Sequence, residues 1–263
     1  MSQPDIFLDT SIQTRRFLLA QPEQQRQDIL FSKLAPRLCT TNYVWMEFQR
    51  TVASDHAHIR RLMLSHKNWG DVIAHLLKGQ RGFRSRSAVR CTQILGQLFK
   101  DSRENLEYAL RLTDQTLKYD LKIRFWTHVI SLSDPISCDL VNAGIARQSD
   151  GNFAVAASCR KEAATCNLPQ FLTEHCLELQ TIVGYLDAHP NAIKDQTRVE
   201  RLLTNVIQNP QSVLGQSTCW PLGDIIIALQ VPSGAMLWTL DKDFEPFATA
   251  LGIKLYSTTE LDS

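Results

Sequence analysis

No apolar run in this chain approaches the roughly 18 to 20 residues that a bilayer-crossing helix requires, so a membrane protein of helical type is not expected. The opening MSQPDIFLDTSIQTRR carries Asp5 early and no long apolar stretch, and does not read as a signal peptide. Excess charge is lacking as well. With 28 Lys and Arg against 27 Asp and Glu, the formal net charge is +1. That excludes molecule-wide attraction for nucleic acid, and any anionic partner has to be held by a local patch. The seven cysteines are odd in number and scattered over Cys39, Cys91, Cys138, Cys159, Cys166, Cys176 and Cys219. They give no disulfide framework, and a reducing, cytoplasmic location is the expectation. Internal repeats and low-complexity tracts are absent. So is a phosphate-cradling glycine loop, because KGQRGFRSRS has neither the P-loop spacing nor its Lys-Ser/Thr ending.

What is present is α/β grammar at both ends of the chain. DIFLDTSI reads as a short strand ending at Asp9 and Thr10, followed by helical material punctuated at Pro22. RLCTT reads as a second strand, and Thr41 or Asn42 is placed to cap the helix YVWMEFQRTVASDHAHIRRLML. Near the other end, GDIIIALQ is a short apolar helix opened by Gly223 and Asp224. The loop VPSG, the strand AMLWTL, the helix FEPFATALG and the strand IKLY follow. Between them, from about Ser65 to Gln216, apolar residues recur at three- and four-residue spacing, as in RENLEYALRLTDQTLKYDLKIRFWTHVISL and PQFLTEHCLELQTIVGYLDAH. The expected architecture is an α/β domain built from 1–66 and 216–263, interrupted by a mostly helical insertion over 67–215.

Four acids stand where such a fold gathers ligands, at the carboxyl ends of parallel strands. Asp9 ends the first strand, Asp241 follows AMLWTL, Glu47 lies one turn into the helix after RLCTT, and Asp224 opens the helix before AMLWTL. Taken singly, each has a bland account: a strand-end Asx turn for Asp9, a helix cap for Asp224, a solvated helix face for Glu47. Taken together, clustered carboxylates raise one another's pKa and need a counter-charge. A hard, oxygen-liganded Mg²⁺ or Mn²⁺ supplies it. Such an ion also activates water and neutralises charge developing on a phosphodiester.

The blocks IFLDTSI, YVWMEFQR, LGDIIIALQ and LWTLDKDFEPFATALGIKLY, in that order, resemble the signature blocks of the PIN domain. The resemblance implies a metal-dependent nuclease, mostly of RNA, on a small parallel sheet flanked by helices. It places Asp9, Glu47, Asp224 and Asp241 as the catalytic, metal-holding acids. Asp243 is a further metal-ligand candidate, and Thr10 and Thr239 are supporting residues. It covers 1–66 and 216–263, under half the chain, and the 177 positions between Glu47 and Asp224 are far more than compact PIN toxins have. The resemblance implies that part of 67–215 supplies the family's own middle helices while the remainder is extra. A haloacid dehalogenase-type phosphatase also opens with an Asp at the end of strand one. It needs a second Asp two places on, where this chain has Ser11.

In LKGQRGFRSRSAVR, Lys78, Arg81, Arg84, Arg86 and Arg90 surround Phe83, a pattern able to track a phosphate backbone and stack a base. The competing account is a solvated basic loop and helix start. Cys159, Cys166, His175 and Cys176 are of zinc-ligand type, but their spacing matches no tight structural site, so free thiols are expected. His56 and His58 point to different faces of a helix and are expected at the surface. The function expected is hydrolysis of single-stranded RNA. DNA or structured RNA in a defence or toxin–antitoxin setting is the alternative target, and a PIN-like binding or scaffold protein without catalysis is the other class. The insertion could equally dock a second copy or another protein.

Overall fold

The computed structural model describes residues 3–19, 21–79, 86–155 and 166–257. Strand β1 (Ile6–Leu8) leads into helices α1 (Thr10–Leu18) and α2 (Gln21–Leu34); β2 (Leu38–Thr40) leads into α3 (Asn42–Phe48). A π-helical stretch, Gln49–Ala53, carries α3 on into α4 (Ser54–Ser65). Then come α5 (Trp69–Gly79), α6 (Arg86–Asp101), α7 (Leu106–Gln115) and α8 (Leu121–Trp126). Strand β3 (Ile130–Ser131), α9 (Asp139–Asn142) and the hairpin β4 (Ala146–Arg147) and β5 (Phe153–Ala154) follow. Helices α10 (Leu168–Glu174), α11 (Cys176–Ala188), α12 (Gln196–Gln208), α13 (Gln216–Cys219) and α14 (Gly223–Leu229) precede β6 (Met236–Trp238), α15 (Phe244–Leu251) and β7 (Lys254–Leu255).

Five of these strands form one parallel sheet in the order β3-β2-β1-β6-β7. Ile6, Phe7 and Leu8 pair with Met236, Leu237 and Trp238, and Ile6 and Phe7 also pair with Leu38 and Cys39. The pleat sends Ile6, Leu8, Leu38 and Trp238 to one face, against Ile12, Phe31 and Leu34 of α1 and α2. Phe7, Cys39 and Leu237 go to the other face, where they join Val44, Phe48, Phe125, Ile225 and Phe244. With helices on both faces the central strands are apolar except for Thr40, whose Oγ1 donates to Leu8 O at 2.9 Å. Phe48 and Phe125 are fully buried with ring centroids 5.2 Å apart, and each contributes roughly 1.5 to 3 kcal/mol by the apolar area it hides.

The chain runs outward from β1 through β2 to β3, then crosses back to the other side of β1 for β6 and β7. The order therefore reverses between β1 and β6, and beyond their carboxyl ends lies the switch point at which parallel sheets form their ligand crevice.

The middle of the chain is more entangled with this sheet than its helical periodicity implies. β3 is an edge strand of the sheet, and Leu132 N–H extends its pairing by donating to Thr40 O at 2.9 Å. Two residues are too short a strand to leave a period-2 pattern. The principal core is continuous through Leu121, Ile182, Leu203 and Ile225, whereas α4 to α7 build a second one around Ile59, Val72, Leu95 and Ala109. The cap of α3 also comes from the middle. Thr41 and Asn42 do not cap it with their side chains; Asp134 accepts from Asn42 N–H at 2.9 Å and Tyr43 N–H at 3.2 Å. Thr41 Oγ1 instead donates to Gln230 Oε1 at 2.6 Å. His56, expected at the surface, is buried with its Nδ1 unpartnered among the described residues, because its side of α4 faces inward.

Candidate metal centre

Asp9 follows β1 directly, and its backbone N–H continues the ladder to Trp238 O at 3.1 Å. Its side chain does what the Asx-turn reading asks, accepting from the N–H groups of Thr10 and Ser11 as the N-cap of α1. Two hydroxyls add to this: Ser11 Oγ donates to Asp9 Oδ2 at 2.6 Å and Thr239 Oγ1 donates to the same oxygen at 2.9 Å. Thr239 Oγ1 accepts in turn from Asp241 N–H at 3.0 Å, and Ser11 Oγ from Leu240 N–H at 2.9 Å. The end of β1 is thus laced to the end of β6 through one carboxylate. Thr10 Oγ1 is buried and, among the described residues, unpartnered.

Glu47 reaches the crevice from α3. Its neighbour one turn on, Arg50, donates Nη1 to Glu47 Oε1 at 2.9 Å, an i,i+3 pair. The guanidinium lies under the ring of Trp220, 3.9 Å from its centroid. A Cβ on Gly223 would sit 3.2 Å from Glu47 Oε1, so a residue without a side chain lets the carboxylate press against the start of α14. Asp224 is the next residue. It is not the cap of its helix, which falls on Leu222 with no side-chain bond, and none of the described residues donates a hydrogen bond to its carboxylate.

The protonation behaviour places these acids in one field. Asp224 is pushed up from 3.8 to about 7 by burial first, then by Asp9, Asp241, Glu47 and Asp243 in that order. Glu47 is raised by burial, with Arg50 pulling it down and Asp9 pushing it up. Asp9 is raised by burial despite its four donors. Asp241 acts on Asp224 more strongly than Asp243 does, and Asp243 donates its N–H to Asp241 Oδ1 at 3.2 Å.

Asp9, Glu47, Asp241 and Asp243 therefore all act on Asp224 beyond the ends of β1 and β6, Thr239 is bonded to Asp9, and Thr10 adjoins it without a side-chain partner among the described residues. Among the described residues, no three of His, Cys, Asp and Glu are drawn together tightly enough to hold a metal ion. The reason is visible in their partners: hydroxyls and amides occupy Asp9, Arg50 occupies Glu47, and Arg86 Nη1 occupies Asp241 Oδ2 at 3.2 Å. The donor set nonetheless fits a hard divalent cation, being all oxygen, with Asp224 held protonated near neutrality for want of a counter-charge.

Comparison of the chain with protein-family models, with curated proteins and with solved structures finds no match.

Of the basic stretch, Lys78 is exposed on α5, and Arg86, 80% exposed along its side chain, reaches from α6 to Asp241. Arg90 is committed to a nearly buried pair with Asp55, Nε to Oδ2 at 2.6 Å. Arg81, Phe83 and Arg84 lie outside the described residues. Sequence reasoning passed over Ser11, Arg50, Trp220 and Gly223. Arg50 was within reach of it, through its i+3 spacing from Glu47. Ser11 was within reach too, two residues from Asp9, whereas Gly223 and Trp220 matter only through their contacts with distant Glu47 and Arg50.

Proposed function

We propose that this chain is a PIN-like, metal-dependent nuclease acting on single-stranded RNA. The observation that carries the reading is the convergence of Asp9, Glu47, Asp224 and Asp241, from four separate stretches, on the crevice between β1 and β6, with Asp224 feeling all the others. Asp9, Glu47, Asp224 and Asp241, with Asp243 beside them, would hold Mg²⁺ or Mn²⁺. When bound, such a cation activates water and offsets the charge that builds on a phosphodiester.

The protein's own residues supply the rest. Thr239 and Ser11 fix the Asp9 carboxylate between two strand ends, and Gly223 admits Glu47 to the crevice. Arg86 puts positive charge beside Asp241, where an incoming phosphate backbone would displace it. RNA is preferred to DNA on the family resemblance alone.

The test is cleavage of labelled single-stranded RNA and DNA with Mn²⁺, Mg²⁺ or EDTA, comparing wild type with Asp224→Asn and Glu47→Gln. Cleavage that requires the metal and disappears in both variants, with unchanged circular dichroism, supports the reading and ranks the substrates. A binding protein without catalysis is the second reading, favoured by the four donors already on Asp9. It prevails if no substrate is cut and calorimetry detects no binding of Mn²⁺.

A further inference from the structure

A pair of thiols from distant positions meets outside the acidic crevice. Ser137 and Asn167 grip each other there: Asn167 N–H donates to Ser137 O at 3.1 Å, and Ser137 N–H donates to Asn167 Oδ1 at 2.7 Å. Asn167 Nδ2 also donates to Pro135 O at 3.0 Å. The next residue after Ser137 is Cys138 and the one before Asn167 is Cys166, so this clasp draws the two side chains together. The backbone bond from Asn167 N–H to Ser137 O thus has Cys138 and Cys166 directly on either side of it, and each thiol lies in the other's field. Cys138 Sγ also accepts from Val141 N–H at 3.4 Å, where it caps α9. Both residues are half-buried and unoxidised, within reach of a small solute.

We propose that Cys138 and Cys166 form a reversible disulfide on exposure to a peroxide, with Cys138 attacking and Cys166 resolving. The roles follow from the surroundings of the cysteines. Burial pushes Cys39 and Cys91 up to about 12 and Cys219 up to about 11, which keeps them as unreactive thiols at neutral pH. Cys138 is drawn below the usual thiol value, chiefly by the neighbouring Cys166 thiol and further by the N–H groups of Val141 and Leu140. Cys166 is raised by Cys138 beside it and by burial.

In the first step the Cys138 thiolate attacks one peroxide oxygen and the O–O bond breaks. Cys138 becomes a sulfenic acid, and hydroxide leaves to take up a proton as water. In the second, the Cys166 thiol loses its proton and its sulfur attacks Cys138 Sγ. The S–S bond forms as the S–O bond breaks, and the departing hydroxide takes that proton as a second water. Two sulfurs have lost two electrons to one peroxide. Dithiol exchange with an external thiol reverses the product.

The test uses the full chain, reduced, desalted and given equimolar hydrogen peroxide at pH 7, then alkylated and digested with trypsin without reductant. The work is done in a Cys176→Ser background, because fragment 162–194 carries both Cys166 and Cys176. The expected product joins 125–147 to 162–194 and is abolished by dithiothreitol. Cys166→Ser should leave a Cys138 sulfenic acid that dimedone traps, whereas Cys138→Ser should leave Cys166 as a free thiol. Should either variant fail to fold, alkylation of the wild type decides: Cys138 is expected to react with iodoacetamide about tenfold faster than Cys219. Persistence of both thiols in the folded protein overturns the proposal. So does linkage of Cys138 to fragment 202–242, which carries Cys219, or to 148–160, which carries Cys159.

Discussion

Replacing Asp224 with Asn should make the cation-free protein more stable at pH 8 while abolishing the proposed cleavage. Asp224 titrates near 7 in the folded chain against an ordinary value of 3.8, because burial and then Asp9, Asp241, Glu47 and Asp243 oppose its ionisation. Between those two values the folded chain keeps a proton that the unfolded chain has released. Stability therefore falls as pH rises through that window and levels off above it. Each pH unit of the gap is worth about 1.4 kcal/mol, about 4 kcal/mol in all. The carboxylate stands at the solvent margin of the crevice, so screening reduces the expectation to about 2 kcal/mol. Asn has the same shape and cannot ionise. For 263 residues, an unfolding entropy of about 2.1 cal/mol/K per residue turns that into a rise in Tm of about 4 °C. The assay is thermal unfolding from pH 5 to 9 in EDTA for wild type and Asp224→Asn. Wild type should lose stability toward pH 7 more steeply than the variant. Mn²⁺ should restore stability to wild type and do less for Asp224→Asn, since a cation removes the repulsion that Asn lacks. Identical pH profiles, or a lower Tm for the variant at pH 8, would refute the claim that these acids share one uncompensated site.

The other perturbations separate stability from activity. Gly223→Ala adds a Cβ that meets Glu47 Oε1 at 3.2 Å in a helical position with φ −53°; Tm should hold or rise, as Ala favours helix by up to about 1 kcal/mol, while kcat/KM falls about tenfold through the displaced carboxylate. His56 is held down to about 4 by burial, so the stability it confers is complete above about pH 6.5 and drains away as pH falls to 4; His56→Gln should flatten that acid limb in a melt series from pH 7 to 4. Arg16 is buried and donates to Asp28 at 2.9 Å and to the carbonyls of Arg124 and Thr127 at 2.8 and 3.2 Å; Arg16→Met should lower stability by about 2 to 4 kcal/mol in urea unfolding, because it leaves those carbonyls unpaired.

How far the sequence carried these conclusions differs from element to element. β1, β2, β6 and the helices after them were legible because each is a run of apolar residues closed by Asp9, Thr40 or the Thr239–Asp243 stretch. β3 was not, since Ile130 and Ser131 are both exposed and belong to the sheet only through their pairing with Cys39 and Thr40. The α3 cap was legible in position, at Thr41, but not in the group that bonds it. Local chemistry offered Thr41 and Asn42, but Asp134 arrives from 92 positions away and frees Thr41 to bind Gln230. Competition of this kind is decided by which polar groups the packed sheet brings near, and no window of neighbouring residues contains it.

The same logic explains why bland and functional accounts of one residue need not exclude each other. Asp9 is an N-cap, yet Oδ2, which accepts the Ser11 N–H of α1, also accepts from Ser11 Oγ and from Thr239 just past β6. Its geometry as a cap fixes where the carboxylate stands at the strand-order reversal. Asp224 is the opposite case. It opens α14 without capping it, and no described donor satisfies its carboxylate. An acid that serves a local turn is stabilised by the fold around it. An acid that serves nothing local, in the field of four others, is a cost to the fold. That asymmetry makes Asp224, rather than the better-bonded Asp9, the residue whose replacement discriminates between a cation site and a polar strand end.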